Sequence, residues 1–88
     1  MQANLLKQYS NIRETIIKNV ETIKMMVDQT KGLRAIAETL SSFPAQSATK
    51  ASLDSQVEAM NRSINDLIDQ TTELFRLYDE FAKEIFGS

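Results

Sequence analysis

The side chains most able to do chemistry in this chain are acidic groups in its second half. Asp66 and Asp69 are three residues apart, and Glu80 and Glu84 are four apart, so each pair would share one face of a helix. Paired carboxylates can bind a cation or perform acid–base catalysis. Charged residues along a helix more commonly form a solvated surface, and we interpret both pairs in this way.

The other groups that enzymes use are scarce. The chain contains no His and no Cys, so a nucleophilic Ser would lack its usual base and zinc would lack its two commonest ligands. It contains only two glycines, which is too few for the usual phosphate-binding loops and dinucleotide fingerprints. The sequence therefore predicts a protein that is not an enzyme, with no catalytic residue, cofactor, metal site or small-molecule substrate.

The charge distribution favours a protein partner. The net charge is -2, from 10 basic and 12 acidic residues, without the basic excess typical of nucleic-acid binding. Residues 1–43 hold six basic and four acidic residues, a balance of +2, whereas residues 44–88 hold four and eight, a balance of -4. Opposite charges suit two elements packed side by side. We expect no nucleic-acid partner.

Helix-breaking residues mark one loop near the middle of the chain. Pro44 is the only proline, and it disfavours a helical conformation at Phe43 before it. Ser47, Thr49 and Ser52 are candidate N-caps for a following helix. The sequence predicts a single domain over residues 1–88, formed by a helix over 3–41, a loop over 42–48 and a helix over 49–86.

Both halves carry a heptad pattern, in which mostly apolar residues recur at alternating spacings of four and three. In the first half this series, the first seam, consists of Leu5, Tyr9, Ile12, Ile16, Asn19, Ile23, Met26, Thr30, Leu33, Ala37 and Leu40. The second seam consists of Leu53, Val57, Met60, Ile64, Leu67, Thr71, Leu74, Tyr78, Phe81 and Ile85. Equal lengths and a short loop predict antiparallel neighbours, with facing residue numbers that add up to about 91.

Further apolar residues lie outside the seams and widen the apolar surface of each helix beyond what one neighbour would cover. They predict an interface with another chain, formed by Ile17, Val20, Val27, Ile68, Leu77, Ala82 and Phe86. The predicted fold is therefore all-α: an antiparallel two-helix hairpin that completes a four-helix bundle, either by homodimerisation or with a helical segment of a partner protein.

The sequence also bears on location. No apolar segment is long enough to insert into a membrane, and the first residues lack the basic and apolar regions of a secretory signal peptide. We expect a cytoplasmic protein, which a dedicated machinery exports without a signal peptide if it leaves the cell.

Residues 75–79 read Phe-Arg-Leu-Tyr-Asp, which places an aromatic and an acidic residue four positions apart near the end of the second helix. With the paired helices, this motif resembles the WXG-type (ESAT-like) hairpins of type VII secretion, in particular the WXG-less partners of LXG-type toxins. Like those partners, the chain has no Trp and therefore no WXG turn. The resemblance implies that Phe75 and Asp79 form an export or docking motif and that the chain binds the N-terminal region of an LXG toxin and helps target it.

Other interpretations remain at this point. Phe75 can instead pack in the core of the hairpin. The whole chain can instead be a structural coiled-coil subunit of a multiprotein assembly, or a helical component or chaperone of another secretion system. A structural subunit predicts sensitivity at seam positions such as Ile64 and tolerance at Asp79.

Overall fold

The computed structural model describes residues 2–87. It contains helix α1, Gln2–Leu40, a 3-10 turn, Pro44–Gln46, and helix α2, Ser47–Phe86. The two helices pack against each other as an antiparallel hairpin that measures 64 × 18 × 15 Å, and the described residues contain no β-strand. The predicted all-α hairpin is confirmed. Over residues 2–87, neither helix has a segment apolar and long enough to cross a membrane.

Proline chemistry ends α1 and shapes the loop. Phe43, directly before Pro44, is extended with φ -123° and ψ 96°, as its position before a proline favours. The backbone N–H of Gln46 then donates to the Phe43 carbonyl at 2.9 Å, which closes the 3-10 turn. The predicted boundaries of both helices agree with the observed ones within two residues.

The expected hydroxyl cap of α2 is wrong. Its N-cap residue is Gln46, which makes no capping side-chain hydrogen bond. The chain enters α2 directly from the 3-10 turn, and Ser47 is already helical, with its N–H bonded to the Pro44 carbonyl. Ser47, Thr49 and Ser52 therefore lie inside the helix, where their hydroxyls are badly placed to accept from its first free amides.

The two seams form the core of the hairpin. Every seam residue is buried or half-buried, and the most buried apolar side chains are Ile16, Ala37, Val57 and Ile64. Two threonines are buried among them. The Thr30 hydroxyl donates to the Met26 carbonyl at 2.8 Å, and the Thr71 hydroxyl donates to the Leu67 carbonyl at 2.7 Å. Each polar group is thereby satisfied within its own helix.

Contacts between the helices agree with the predicted register. Tyr9 stacks on Tyr78 at a centroid distance of 4.2 Å and meets the edge of Phe86 at 5.8 Å, so it is level with Ala82 between them. Toward the loop, the Thr30 hydroxyl lies 3.9 Å from the Met60 sulfur. Both contacts fit residue numbers that add up to about 90, as expected for neighbouring antiparallel helices.

Candidate functional site

The heptad register assigns every residue beside the seams to one of two sides of the hairpin. The seams hold the a and d positions, with Tyr9 and Val57 as a positions. Because the helices are antiparallel, the e positions of both border the seams on one side and the g positions on the other. The cleft between the helices near the loop agrees, because Arg34, Ser41 and Asp54, all e positions, line it together.

The two sides differ sharply in chemistry. Within the spans of the two seams, residues 5–40 and 53–85, ten residues occupy e positions, and six of them are apolar. We call this side the apolar face; its apolar members are Leu6, Val20, Val27, Ile68, Phe75 and Ala82. Of the ten g positions in the same spans, eight are polar, with Ile36 and Leu77 as the exceptions. We call that side the polar face.

The hairpin itself leaves the apolar face uncovered. Leu6, Ile68 and Phe75 are 49%, 43% and 51% exposed, while Val20 and Val27 are half-buried beside the seam. Among the e positions of the facing helix, antiparallel pairing puts Ala82 nearest to Leu6 and Ile68 nearest to Val20. The exposed side chains therefore follow one another along the face instead of being scattered singly, and a continuous apolar strip of this kind marks an interaction surface.

The structure groups most of the predicted interface residues. Val20, Val27, Ile68 and Ala82 belong to the apolar face. Ile17 and Phe86 are exposed at the adjoining b positions and extend its edge. Leu77 is a g position, so it lies on the polar face and does not join the others.

Leu6 and Phe75 also belong to the apolar face but were not among the predicted interface residues; Phe75 was assigned to the export motif or, alternatively, to the core. The heptad positions of the residues beside the seams identify both, because Leu6 and Phe75 are e positions. The width of the apolar surface on each helix does not by itself distinguish e from g positions.

The aromatic and acidic residues of the 75–79 motif are both exposed. Phe75 is half-exposed on the apolar face, so the interpretation of Phe75 as a core residue is wrong; the neighbouring Leu74 and Tyr78 occupy the seam instead. Asp79 lies one turn further along α2, with its carboxylate 3.5 Å from the Lys83 ammonium. The two side chains thus share one side of the helix, and their assignment as an export motif stays a prediction.

Ion pairs on the surface of α2 neutralise some of its carboxylates. The Nε of Arg76 donates to Glu73 at 2.9 Å, and its Nη1 donates to Glu80 at 2.6 Å. The hydrogen bond from Arg76 lowers the pKa of Glu73 below its usual value and raises that of Arg76. Glu80 is therefore engaged with a cation of its own helix.

The remaining carboxylates are not gathered into a site. Asp66 and Asp69 are both exposed. Over the part of the chain that the structure describes, no three acidic side chains come close enough together to hold a metal ion. The arrangement is that of a solvated helix surface.

A helical hairpin with one continuous apolar side is the class of structure that these residues define. No known protein family, curated protein or solved structure matches this chain. The apolar face and the 75–79 motif are therefore the features of the chain that bear on its function.

Proposed function

We propose that this chain is a non-catalytic protein-binding hairpin whose apolar face packs against helices of another protein and thereby completes a four-helix bundle. The observation that carries the proposal is the uneven distribution of exposed large apolar residues. Three of them lie at e positions and two at the adjoining b positions, whereas only Ile36 lies at a g position. A helix with an apolar surface wider than one seam packs on more than one neighbour.

Energetics support docking through this face. Fully burying a side chain such as Leu, Ile or Phe stabilises by about 1.5–3 kcal/mol. Leu6, Ile68 and Phe75 are about half exposed, so covering them recovers roughly half of that for each. Small domains without disulfides or metals commonly need such an association to be robust.

A matched pair of cysteine variants tests the proposal. The chain has no native Cys, so Ile68→Cys and Ile36→Cys each carry one thiol for a photo-crosslinker. Ile68 is 43% exposed on the apolar face and Ile36 is 52% exposed on the polar face. In cells that produce the chain, we expect position 68 to give one discrete adduct larger than twice the mass of the hairpin, and position 36 to give little of it.

The captured protein is then purified and its affinity for the hairpin is measured by calorimetry. Ile68→Asp should weaken binding at least tenfold, whereas Ile36→Asp should leave it within about twofold, since each tenfold change corresponds to about 1.4 kcal/mol. Equal labelling from both positions, or equal affinities of the two variants, would exclude the apolar face as the binding surface.

A more specific form of the proposal is that the partner is an LXG-type toxin and that the hairpin helps deliver it to type VII secretion. The exposure of Phe75 and Asp79 on one side of α2 supports it, because a docking motif must be accessible to the protein that binds it. On this proposal the chain is made in the cytoplasm and is exported together with its partner. The alternative is a structural coiled-coil subunit, whose function would not depend on Phe75 and Asp79.

Export of the partner distinguishes these two roles. Asp79→Ala should abolish export while the circular dichroism spectrum and thermal melting stay unchanged, because the carboxylate contributes only an exposed pair with Lys83. Asp66→Ala, which removes another exposed carboxylate of α2, is the control and should export normally. Persistent export after replacement of both Phe75 and Asp79 by Ala would exclude the delivery role.

A further inference from the structure

Charged residues beside the apolar face are separated by sign. Within the spans of the two seams, the e and b positions of α1 carry four basic residues and one acidic residue, whereas those of α2 carry three acidic residues and no basic one. On α1 these are Arg13, Lys24, Lys31, Arg34 and the single acidic residue Glu38, and on α2 they are Asp54, Glu58 and Asp79. All of them are exposed. The apolar face thus has a cationic border on one helix and an anionic border on the other.

Charges of the opposite sign lie at the back of each helix. Three of the four acidic residues of α1 and three of the four basic residues of α2 occupy f positions, which point away from the seam. They are Glu14, Glu21 and Asp28 on α1, and Arg62, Arg76 and Lys83 on α2. The separation by sign therefore belongs to the side of the hairpin that carries the apolar face.

At the loop end the two signs balance. Arg34, Glu38, Lys50 and Asp54 line one cleft there, which holds two cations and two anions. The Lys50 ammonium donates to the Asp54 carboxylate at 2.9 Å, so this pair is already satisfied within α2. The borders that carry a net charge therefore lie further from the loop. The cationic border consists of Arg13, Lys24 and Lys31, and the anionic border consists of Glu58 and Asp79.

The hairpin leaves these border charges largely without counterions. Over residues 2–87, the three cations of the border and Glu58 form no ion pair, and Asp79 has one exposed pair with Lys83 at 3.5 Å. Antiparallel pairing puts Arg13 near the level of Asp79, and Lys31 near the level of Glu58. At both levels the apolar face therefore has a positive edge and a negative edge.

We propose that the two helices with which the partner covers the apolar face differ in charge. The helix that lies along α1 carries acidic residues beside its apolar strip, and the helix that lies along α2 carries basic residues. The inference rests on the proposed function in one respect, namely that helices of another protein cover the apolar face. It adds the chemistry of that protein and the order in which its helices are placed.

The borders determine orientation and association rate more than affinity. Exposed ion pairs each contribute little to stability, so the apolar residues supply most of the binding free energy. Complementary charges speed association and disfavour arrangements in which like charges meet. Exchanging the two partner helices would bring its acidic helix to Glu58 and its basic helix to Lys24 and Lys31, so only one order is favourable.

Two synthetic peptides test the assignment of the borders. Each is an amphipathic helix of about 20 residues, which at 1.5 Å per residue matches the roughly 32 Å from Leu6 to Val27. Both have the same leucine strip, which is bordered by Glu in one peptide and by Lys in the other. Ile17→Cys on α1 and Thr72→Cys on α2 carry a photo-crosslinker, because both are exposed b positions at nearly the same level.

We expect position 17 to capture mainly the Glu peptide and position 72 mainly the Lys peptide, each by about threefold over the other. The preference should disappear in about 1 M salt, where the Debye length is about 3 Å. Capture of neither peptide, or the same preference at both positions, would overturn the inference.

Charge reversal tests the borders against the protein that is captured through position 68. In stopped-flow measurements at low salt, the double variant Lys24→Glu, Lys31→Glu should lower the association rate constant about threefold or more. Glu58→Lys should also lower it, although this substitution changes the net charge in the opposite direction. Slowing by both signs of substitution is what two opposite borders predict.

The double variant Lys7→Glu, Lys18→Glu is the matched control. It makes the same change in net charge on the same helix, but Lys7 is an f position and Lys18 a c position beside the polar face. The association rate constant should stay within about twofold of wild type. If this control slows association as much as the border variant does, or if Glu58→Lys speeds it, net charge is the cause and the inference is wrong.

Failure of the inference differs visibly from failure of the proposed function. A protein captured through position 68 whose association ignores both border reversals would overturn the inference and leave the proposed function standing. An adduct of only twice the chain mass of 10.0 kDa would identify a second copy of the chain as the occupant and overturn both.

Discussion

At the open end of the hairpin, Tyr9 joins the two helices through its ring and its hydroxyl. The ring stacks on Tyr78 with an interplanar angle of 14°. A hydrogen bond with the Tyr78 side chain, and to a lesser degree burial, raise the pKa of Tyr9 above its usual value of 10.0. Folding thus favours the neutral form of Tyr9. Its contribution to stability is present below about pH 10 and is lost as the pH rises through the folded-state pKa.

Tyr78→Phe tests this coupling, because it removes the hydroxyl and keeps the stacked ring. We expect the pKa of Tyr9 to fall toward 10.0, while the mid-point of thermal unfolding at pH 7 changes little. Carbon-13 labelling of the tyrosine ring and NMR titration follow Tyr9 directly. An unchanged pKa in the variant would show that the Tyr78 hydroxyl is not its cause.

At the scale of the helices, the two glycines of the chain occupy opposite conformations. Gly32 lies inside α1, where an added Cβ would meet no atom within 4 Å, whereas Gly87 ends α2 in the left-handed region with φ 69°. Gly32→Ala should therefore stabilise the hairpin by about 1 kcal/mol, because alanine restricts the unfolded chain and fits the helix.

Gly87→Ala is the matched control, and we expect it to destabilise the helix where Gly32→Ala stabilises it. The left-handed conformation is strained for an L side chain by about 1–2 kcal/mol, so the last turn of α2 should fray. Urea unfolding gives the stability change at Gly32, and amide exchange near Lys83 reports the last turn. A loss of stability in Gly32→Ala would mean that this position needs its glycine for another reason.

The helices and their pairing could be predicted from the sequence because they depend on local rules. Pro44 determines where α1 must end, and the heptad spacing from Leu53 to Ile85 determines which side of α2 is buried. The start of α2 was harder to predict. Its cap depends on the 3-10 turn before it, which makes Ser47 already helical. No residue type in the loop predicts that turn.

The docking surface was predicted less completely than the seams. Six of the seven predicted interface residues lie on or beside the apolar face, but Leu77 lies on the other side. Near the edge of a seam, a single step along the chain moves a side chain by 100° around the helix axis, as from Leu77 to Tyr78. Hydrophobicity alone does not distinguish these sides, and antiparallel pairing is needed to decide which residues meet.

At the scale of the whole molecule, the hairpin is extended and has a thin core. Its radius of gyration is 19.5 Å, against about 12 Å for a compact domain of this length. Among the described residues, only four apolar side chains are buried. A fold with so little interior gains much of its stability from whatever covers its apolar face.

Thermal unfolding of the purified chain should therefore depend on the partner that covers its apolar face. The captured protein, added at about 100 times its dissociation constant, should stabilise the hairpin by about 2.7 kcal/mol, which raises the melting temperature by about 10 °C or more. Ile36→Asp should gain as much stability from the partner, because the polar face stays in solvent. Ile68→Asp should gain little, since its charge keeps the partner off the apolar face. A wild-type melting temperature that the partner does not change would mean that the two seams alone hold the hairpin together.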